Sequence, residues 1–204
     1  MSDGHYFDDD PHVASEPTTV EVSLPDRTLS FTTDRGVFSG SRLDPGTKFL
    51  LSELPPIEAG AVVLDLGCGW GPIAGVIATR QPTATVWAVD VNRRARALTA
   101  ANARALGVDD RVHVAAPDDV PTTVRFHRIV SNPPIRIGKQ ALHDLLRAWL
   151  DRLEPAGTAH LVVQKHLGSD SLARWLTEEG RPTNRLASRA GYRILEVRGQ
   201  EEHP

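Results

Sequence analysis

Hydrophobic positions along this chain change period several times, and each change marks an element. Residues 1–17, with Asp8-Asp9-Asp10, Pro11 and Pro17, show little periodicity and read as a loosely held acidic arm. Val20-Glu21-Val22-Ser23-Leu24 and Thr28-Leu29-Ser30-Phe31-Thr32 alternate with period two around Pro25-Asp26-Arg27, the pattern of a β-hairpin. Pro45 to Leu51 opens a short helix that Pro55-Pro56 ends. From Ala61 onward, apolar runs alternate with helical patterns. Val62-Val63-Leu64 is wholly apolar, as suits a strand buried on both faces of a parallel sheet. A helix over 72–80, a strand over 83–89, a helix from Asn92 to Leu106 and strands at 112–114 and 129–130 follow. The pattern then gives a helix over 139–153, a strand over 158–164 entered through Pro155-Ala156-Gly157, and a helix over 172–178. Two closing strands fall near 183–188 and 191–197.

Such alternation predicts an α/β fold with a doubly wound, mostly parallel sheet and a ligand at the C-terminal ends of the strands. The closing pair adds an antiparallel edge. The expected organisation is an arm over 1–17, a hairpin and helix over 18–58 that cap the ligand site, and the main domain over 59–204.

Composition narrows the class. With 40% apolar and 24% charged residues, the chain reads as soluble and globular, and 204 residues suffice for one domain with a substantial core. The single cysteine, Cys68, leaves no internal disulfide and fits a reducing cytoplasm. Met1-Ser2-Asp3-Gly4-His5 lacks the basic and apolar regions of a signal peptide. No apolar run approaches the ~20 residues that cross a bilayer, so no membrane is expected. The net charge of −3 hides an asymmetry: residues 1–26 hold seven acidic side chains and no basic ones, leaving 23 Lys and Arg against 19 Asp and Glu beyond them. A mildly basic body permits a nucleic-acid partner without demanding one. His5 and His12 flank the aspartates without a fixed ligand spacing, so a solvated tail is expected rather than a metal site.

Gly67, Gly69 and Gly71 follow the first buried strand directly, in Asp65-Leu66-Gly67-Cys68-Gly69-Trp70-Gly71. Glycine here removes the Cβ atoms that would keep a ligand from the backbone. A dinucleotide fingerprint would need G-x-G-x-x-G, whereas this spacing is G-x-G-x-G, like the loop that holds S-adenosylmethionine (SAM). Asp65 stands where a strand-end acid would meet the methionine ammonium of SAM. Cys68 is a small residue of that loop, with no base placed by sequence to make it a nucleophile. Asp90, at the end of the second strand, is positioned to accept hydrogen bonds from a ribose diol, with Val91 beside it; this supports an adenosine cofactor without choosing SAM. Asn92 reads as a helix N-cap. Asp118 and Asp119 follow the third strand, where either an adenine contact or a plain polar loop fits.

Ser131-Asn132-Pro133-Pro134 ends the fourth strand on the edge where that donor would lie. Proline fixes φ and holds its preceding residue extended, so the turn should present the Asn132 side-chain oxygen and the Pro133 carbonyl with little freedom. An exocyclic amine on a base or a carboxamide has its lone pair delocalised into the π-system. Accepting hydrogen bonds from its N–H groups would point that lone pair at a methyl donor, and positioning would supply most of the acceleration.

At these residues the chain resembles the small-subunit ribosomal RNA guanine-N2 methyltransferases and their single-domain relatives. The marks are Thr33-Asp34-Arg35-Gly36-Val37-Phe38-Ser39, Leu43-Asp44-Pro45-Gly46-Thr47-Lys48, the glycine loop, Ser131 to Lys139, and Ala190-Gly191-Tyr192-Arg193-Ile194-Leu195. The resemblance implies the seven-stranded, Rossmann-like class I methyltransferase sheet, with SAM as cofactor and RNA, as ribosomal RNA or a ribosomal particle, as partner. It also places the Gly36-Val37-Phe38-Ser39 segment over the active-site mouth, with Phe38 closing it or simply capping apolar surface. The chain departs from the family's pattern where Ile135 replaces an aromatic residue after Asn-Pro-Pro, losing base stacking worth ~1–3 kcal/mol. It also has no room for the second, RNA-binding domain of those enzymes. Arg136 and Lys139 flank the expected base pocket, and Lys165 and His166 follow the next strand; each is a phosphate contact or a solvated charge. The same chemistry would serve adenine N6 or a protein glutamine amide. A non-catalytic SAM-binding regulatory module is the reading of another class, and a dehydrogenase fits least.

Overall fold

A computed structural model of the chain describes residues 13–200. The acidic run and the His5 and His12 pair lie outside the described residues. The end of the arm is held rather than loose. Ser15 Oγ and the Glu16 amide donate to the two oxygens of Asp34 at 2.6 and 2.5 Å, and Arg94 donates to the Val13 carbonyl at 2.8 Å.

The elements run β1 (Thr18–Ser23), β2 (Thr28–Thr33), α1 (Pro45–Glu53), β3 (Val62–Leu66), α2 (Pro72–Arg80), β4 (Thr85–Val89), α3 (Arg93–Ala105), β5 (Val112–Ala115) and β6 (Phe126–Ser131). They continue α4 (Lys139–Leu150), β7 (Leu153–Gln164), α5 (Ser169–Glu178), β8 (Thr183–Arg189) and β9 (Tyr192–Arg198). Strands β3 to β9 form one seven-stranded sheet in the order β5-β4-β3-β6-β7-β9-β8, parallel except for β9, which is antiparallel to both β7 and β8. β1 and β2 form a separate antiparallel pair.

Alternation along each strand sorts its side chains between two cores. Val63, Val86, Val130, Val162 and Ile194 face α1, α2, α3 and the hairpin. Leu64, Ile129, Leu161 and Leu195 face α4 and α5. The hairpin sits on α2 and α3, with Phe31 edge-on to Trp70 at 5.3 Å between ring centres. Buried Asn102 of α3 acts as a strand partner for Thr32, accepting from its amide at 2.8 Å and donating to its carbonyl at 2.7 Å. The same side chain donates to the Trp70 carbonyl at 2.7 Å, which ties the hairpin to the glycine loop.

Three boundaries differ from the expectation. Leu153 begins β7 instead of ending α4, and the strand runs through Pro155-Ala156-Gly157 as a bulge, because Leu153 pairs with Phe126 and Thr158 with Arg128. Gly157 permits this: a Cβ there would meet the Phe126 carbonyl oxygen at 2.9 Å. Helix α5 begins at Ser169, not Leu172. The last hairpin turns on Ala190 and Gly191, whose φ values of 46° and 83° belong to a two-residue turn.

On the face shared by Val130 and Val162, His160 is buried beside Arg128, with the Glu196 carboxylate 3.5 Å away. Burial, and then the Arg128 charge, hold its imidazole down at about 4. A histidine depressed in the fold stays neutral there but charges near 6.5 when unfolded, so acid favours the unfolded chain. Stability should be full above pH ~6.5 and fall as pH drops towards 4, by on the order of 3 kcal/mol. Denaturant titrations between those pH values should show the slope, and His160→Gln should flatten it.

Candidate active site

Strand order reverses between the parallel neighbours β3 and β6: β3 leads on to β4 and β5 on one side, while β6 starts the other half of the sheet. Ligands of such sheets bind where the order reverses, beyond the strand C-termini. A cleft of about 390 Å³ opens there, lined by Gly67, Gly69, Asp90, Val91, Asn132, Pro133 and Pro134 among others.

The glycine loop is built for space rather than for donors. Gly67, Gly69 and Gly71 have φ of 76°, 57° and 86°, which side-chain-bearing residues rarely adopt. The amides of Gly67 and Cys68 both donate to the Val89 carbonyl, at 2.8 and 3.0 Å, and the Gly69 amide donates to Asp90 Oδ2 at 2.9 Å. These amides are therefore engaged within the protein. A Cβ on Gly67 or Gly69, however, would meet no atom within 4 Å, so both leave open volume at the cleft wall. Gly71 differs: its Cβ would strike Thr99 at 2.9 Å, so its role is to let α3 approach the loop.

Asp65 does not line the cleft. Strand alternation turns it to the same face as Val63, where it is fully buried and its Oδ2 accepts from the Ala74 amide at 3.0 Å. It caps α2 in place of Gly71, which has no side chain to do so. Burial, with the Asp90 charge added, pushes its carboxyl up to about 8, which favours the uncharged acid. Cys68 likewise points inward, with Sγ 3.5 Å from Thr99 Oγ1; burial and the nearby aspartates raise its thiol well above the usual range. Asp118 is exposed in a short 3₁₀ turn and does not line the cleft, whereas its neighbour Pro117 does.

Asp90 stands at the rim with one oxygen on the Gly69 amide and the other on the Asn92 amide, each at 2.9 Å. Burial raises its carboxyl, opposed by those two amides and by Arg96. Each carboxylate oxygen keeps a further lone pair. Asn92 caps α3 by accepting from the Ala95 amide at 3.0 Å, as its position suggested, and its side-chain nitrogen donates to the Gly36 carbonyl at 3.0 Å. That bond carries the 36–39 segment to the cleft, where Val37 is buried and Phe38 is 49% exposed; no residue of β1 or β2 lines it.

Asn132 enters from the opposite wall. Ser131 Oγ donates to the Leu66 carbonyl at 2.7 Å and locks β6 to β3 just before it. Its side-chain nitrogen donates to Asp44 Oδ2 at 2.9 Å and to Thr47 Oγ1 at 3.0 Å, using both hydrogens. Asp44 is itself fixed as the N-cap of α1, accepting from the Thr47 amide at 2.8 Å. The Asn132 oxygen is left as the free end of the amide. Pro133 is less available than its position suggested. Pro134, at φ −75° and ψ 73°, makes an inverse γ-turn in which the Ile135 amide donates to the Pro133 carbonyl at 2.8 Å.

Of the other expected residues, Ile135 and Arg136 line the cleft, while Lys139 stands exposed in the first turn of α4 outside it. Lys165 lines a separate hollow next door. Gln164 and Tyr192, which no motif in the sequence marks as site residues, also line the cleft and are joined by a 2.9 Å bond from Gln164 Nε2 to the tyrosine oxygen. Gln164 ends β7 on the edge already marked by Asp90 and Asn132, and that strand-end position was the available signal.

The family model of the methyltransferase small domain matches residues 28–196. The chain belongs to this family. The methyltransferase uses SAM as its cofactor. It is 33% identical over 199 residues to the uncharacterized protein YbxB of Bacillus subtilis (strain 168), covering 95% of this chain and 98% of that one. It is 37% identical over 144 residues to ribosomal RNA small subunit methyltransferase C of Shewanella piezotolerans, covering 68% of this chain and 41% of that protein. The methyltransferase thus spans less than half the length of that ribosomal enzyme. Its fold matches the T. thermophilus 16S rRNA N2 G1207 methyltransferase (RsmC), solved in complex with AdoMet and guanosine, with a TM-score of 0.80 at 24% identity over 93% of this chain and 52% of that one. Among the described residues, no helix is long and apolar enough to cross a membrane, and no three His, Cys, Asp or Glu side chains gather as metal ligands.

Proposed function

We propose that the methyltransferase transfers a methyl group to the exocyclic amine of a nucleobase, N2 of guanine in ribosomal RNA. The observation that carries this reading is the locked Asn132 amide: with both its hydrogens held by Asp44 and Thr47, it offers only its oxygen to the cleft. That oxygen accepts an N–H of a planar amine, whose rehybridised lone pair then faces the donor. As positive charge develops on the nitrogen, the Asn132 dipole and the Asp44 carboxylate behind it favour the transition state more than the ground state. No strong base is needed, because the proton leaves after the new N–C bond has formed.

The cleft suits SAM. Bound there, SAM supplies the electrophilic methyl. Asp90 would take the ribose hydroxyls on its remaining lone pairs, Val91 and Pro117 would give apolar surface to the adenine side, and Gly67 and Gly69 would leave room for the amino-acid chain. On the acceptor side, Phe38 and Ile135 pack on the flat faces of a base, and Arg136 lies where its phosphate would pass. The ribosomal RNA methyltransferases among the relatives, and the guanosine held by the T. thermophilus enzyme, support guanine over adenine or a glutamine amide. This reading places the protein in the cytoplasm with ribosomal RNA or its particles.

Labelled SAM offered with naked RNA, small-subunit particles and cell protein in parallel tests the acceptor class. Label should enter RNA, free or in particles. Label confined to protein would replace the nucleobase with a glutamine-type amide.

A further inference from the structure

Beside the cleft lies a second hollow of about 320 Å³, walled by Lys165, Arg185, Arg189 and Arg193. Tyr192 is common to both cavities. Arg193 is paired with Asp170. Lys165, Arg185 and Arg189 are exposed and make no ion pair or side-chain hydrogen bond with any described residue. Three uncompensated cations around one concavity repel one another unless an anion sits between them.

The placement has a structural cause. Ala190 and Gly191 turn the β8–β9 hairpin tightly, so Arg189 faces Tyr192 across the ladder. The Lys165 amide donates to the Gly191 carbonyl at 2.7 Å, which draws the end of β7 against the same turn. β8 is the edge of the sheet, and charges on an edge strand also guard against unwanted pairing. Guarding alone does not explain why a lysine from the β7 end joins them next to the cleft.

We propose that this hollow holds a phosphodiester of the RNA strand next to the nucleotide whose base enters the cleft, with Tyr192 as the partition between base and backbone. The inference rests on the RNA reading above. Recognition is by charge and geometry of phosphate, so it positions the strand without reading sequence. It also gives this chain an RNA contact made from the catalytic domain's own last hairpin.

The test is fluorescence anisotropy of a labelled single-stranded RNA with wild type and with Arg185→Ala/Arg189→Ala, across a salt series. SAM affinity and a thermal melt show that the variant is folded. The variant should bind RNA more weakly at low salt, with its salt slope shallower by about 0.7, the share of one phosphate on a single strand. Equal affinity and equal slope would overturn the proposal while leaving the RNA reading intact. Wild type that binds neither naked RNA nor particles would remove the RNA reading and the hollow's role with it. A polyglutamate peptide bound with the arginine-dependent slope, in place of RNA, would overturn it in favour of an acidic protein.

Discussion

Asn132→Ala is expected to lower turnover by about a hundred- to a thousand-fold, the usual cost of removing one preorganised polar group from a transition state. SAM affinity should stay within about twofold, because the side chain faces the acceptor. The variant loses a cleft amide oxygen whose own nitrogen is held from behind by Asp44 and Thr47. Thr47→Val is the graded comparison. It leaves Asp44 and the α1 cap in place but strips one hydrogen bond, worth about 1 kcal/mol, from the Asn132 nitrogen. Turnover should then fall by several-fold with KM for RNA nearly unchanged, since the amide is less well aimed but still present. Single-turnover rates with isothermal titration of SAM separate the two quantities. Full turnover in Asn132→Ala would end the proposed mechanism.

Asp90→Ala should weaken SAM by about a hundredfold, from the loss of hydrogen bonds to a charged acceptor worth about 1.5–3 kcal/mol each. Two effects would combine: the ribose would lose the acceptor proposed for it, and the Gly69 and Asn92 amides would lose the carboxylate that holds them. Asp65→Asn is the informative contrast. Its carboxyl is buried away from the cleft and is pushed up to about 8, towards the uncharged form. An amide of the same shape should cap α2 and keep SAM affinity within about threefold. If Asp65→Asn were the damaging change and Asp90→Ala the mild one, the assignment of the donor side would be reversed.

Features carried by local pattern were legible in the sequence. The period changes located the strands and helices, the glycine loop and Asp90 fell at strand ends, and Asn132 fell at the end of β6. What was hidden depended on direction or on distant partners. Asp65 reads in sequence as facing the donor, although alternation from Val63 puts it on the α2 side of the sheet. Sequence alone leaves the Pro133 carbonyl free, because a γ-turn at Pro134 has no pattern of its own. Asp44 stands in the sequence only as part of the Leu43 to Lys48 stretch that carries the resemblance, and its bond to Asn132 joins positions 88 apart in the chain. Pro155 and Gly157 read as a turn because a bulge needs the same residues that a loop does. Lys139 and Lys165 looked equivalent in sequence, yet one stands outside the cleft and the other belongs to the hollow beyond Tyr192.

The most direct test of the account is the identity of the methylated nucleoside. RNA labelled by the enzyme and SAM would be digested to nucleosides and resolved by mass spectrometry against standards, with the Asn132→Ala enzyme run alongside. The account predicts N2-methylguanosine from the wild type and none above background from the variant. A label recovered as a base-nitrogen product other than N2-methylguanosine, or as a ribose methyl, would contradict it.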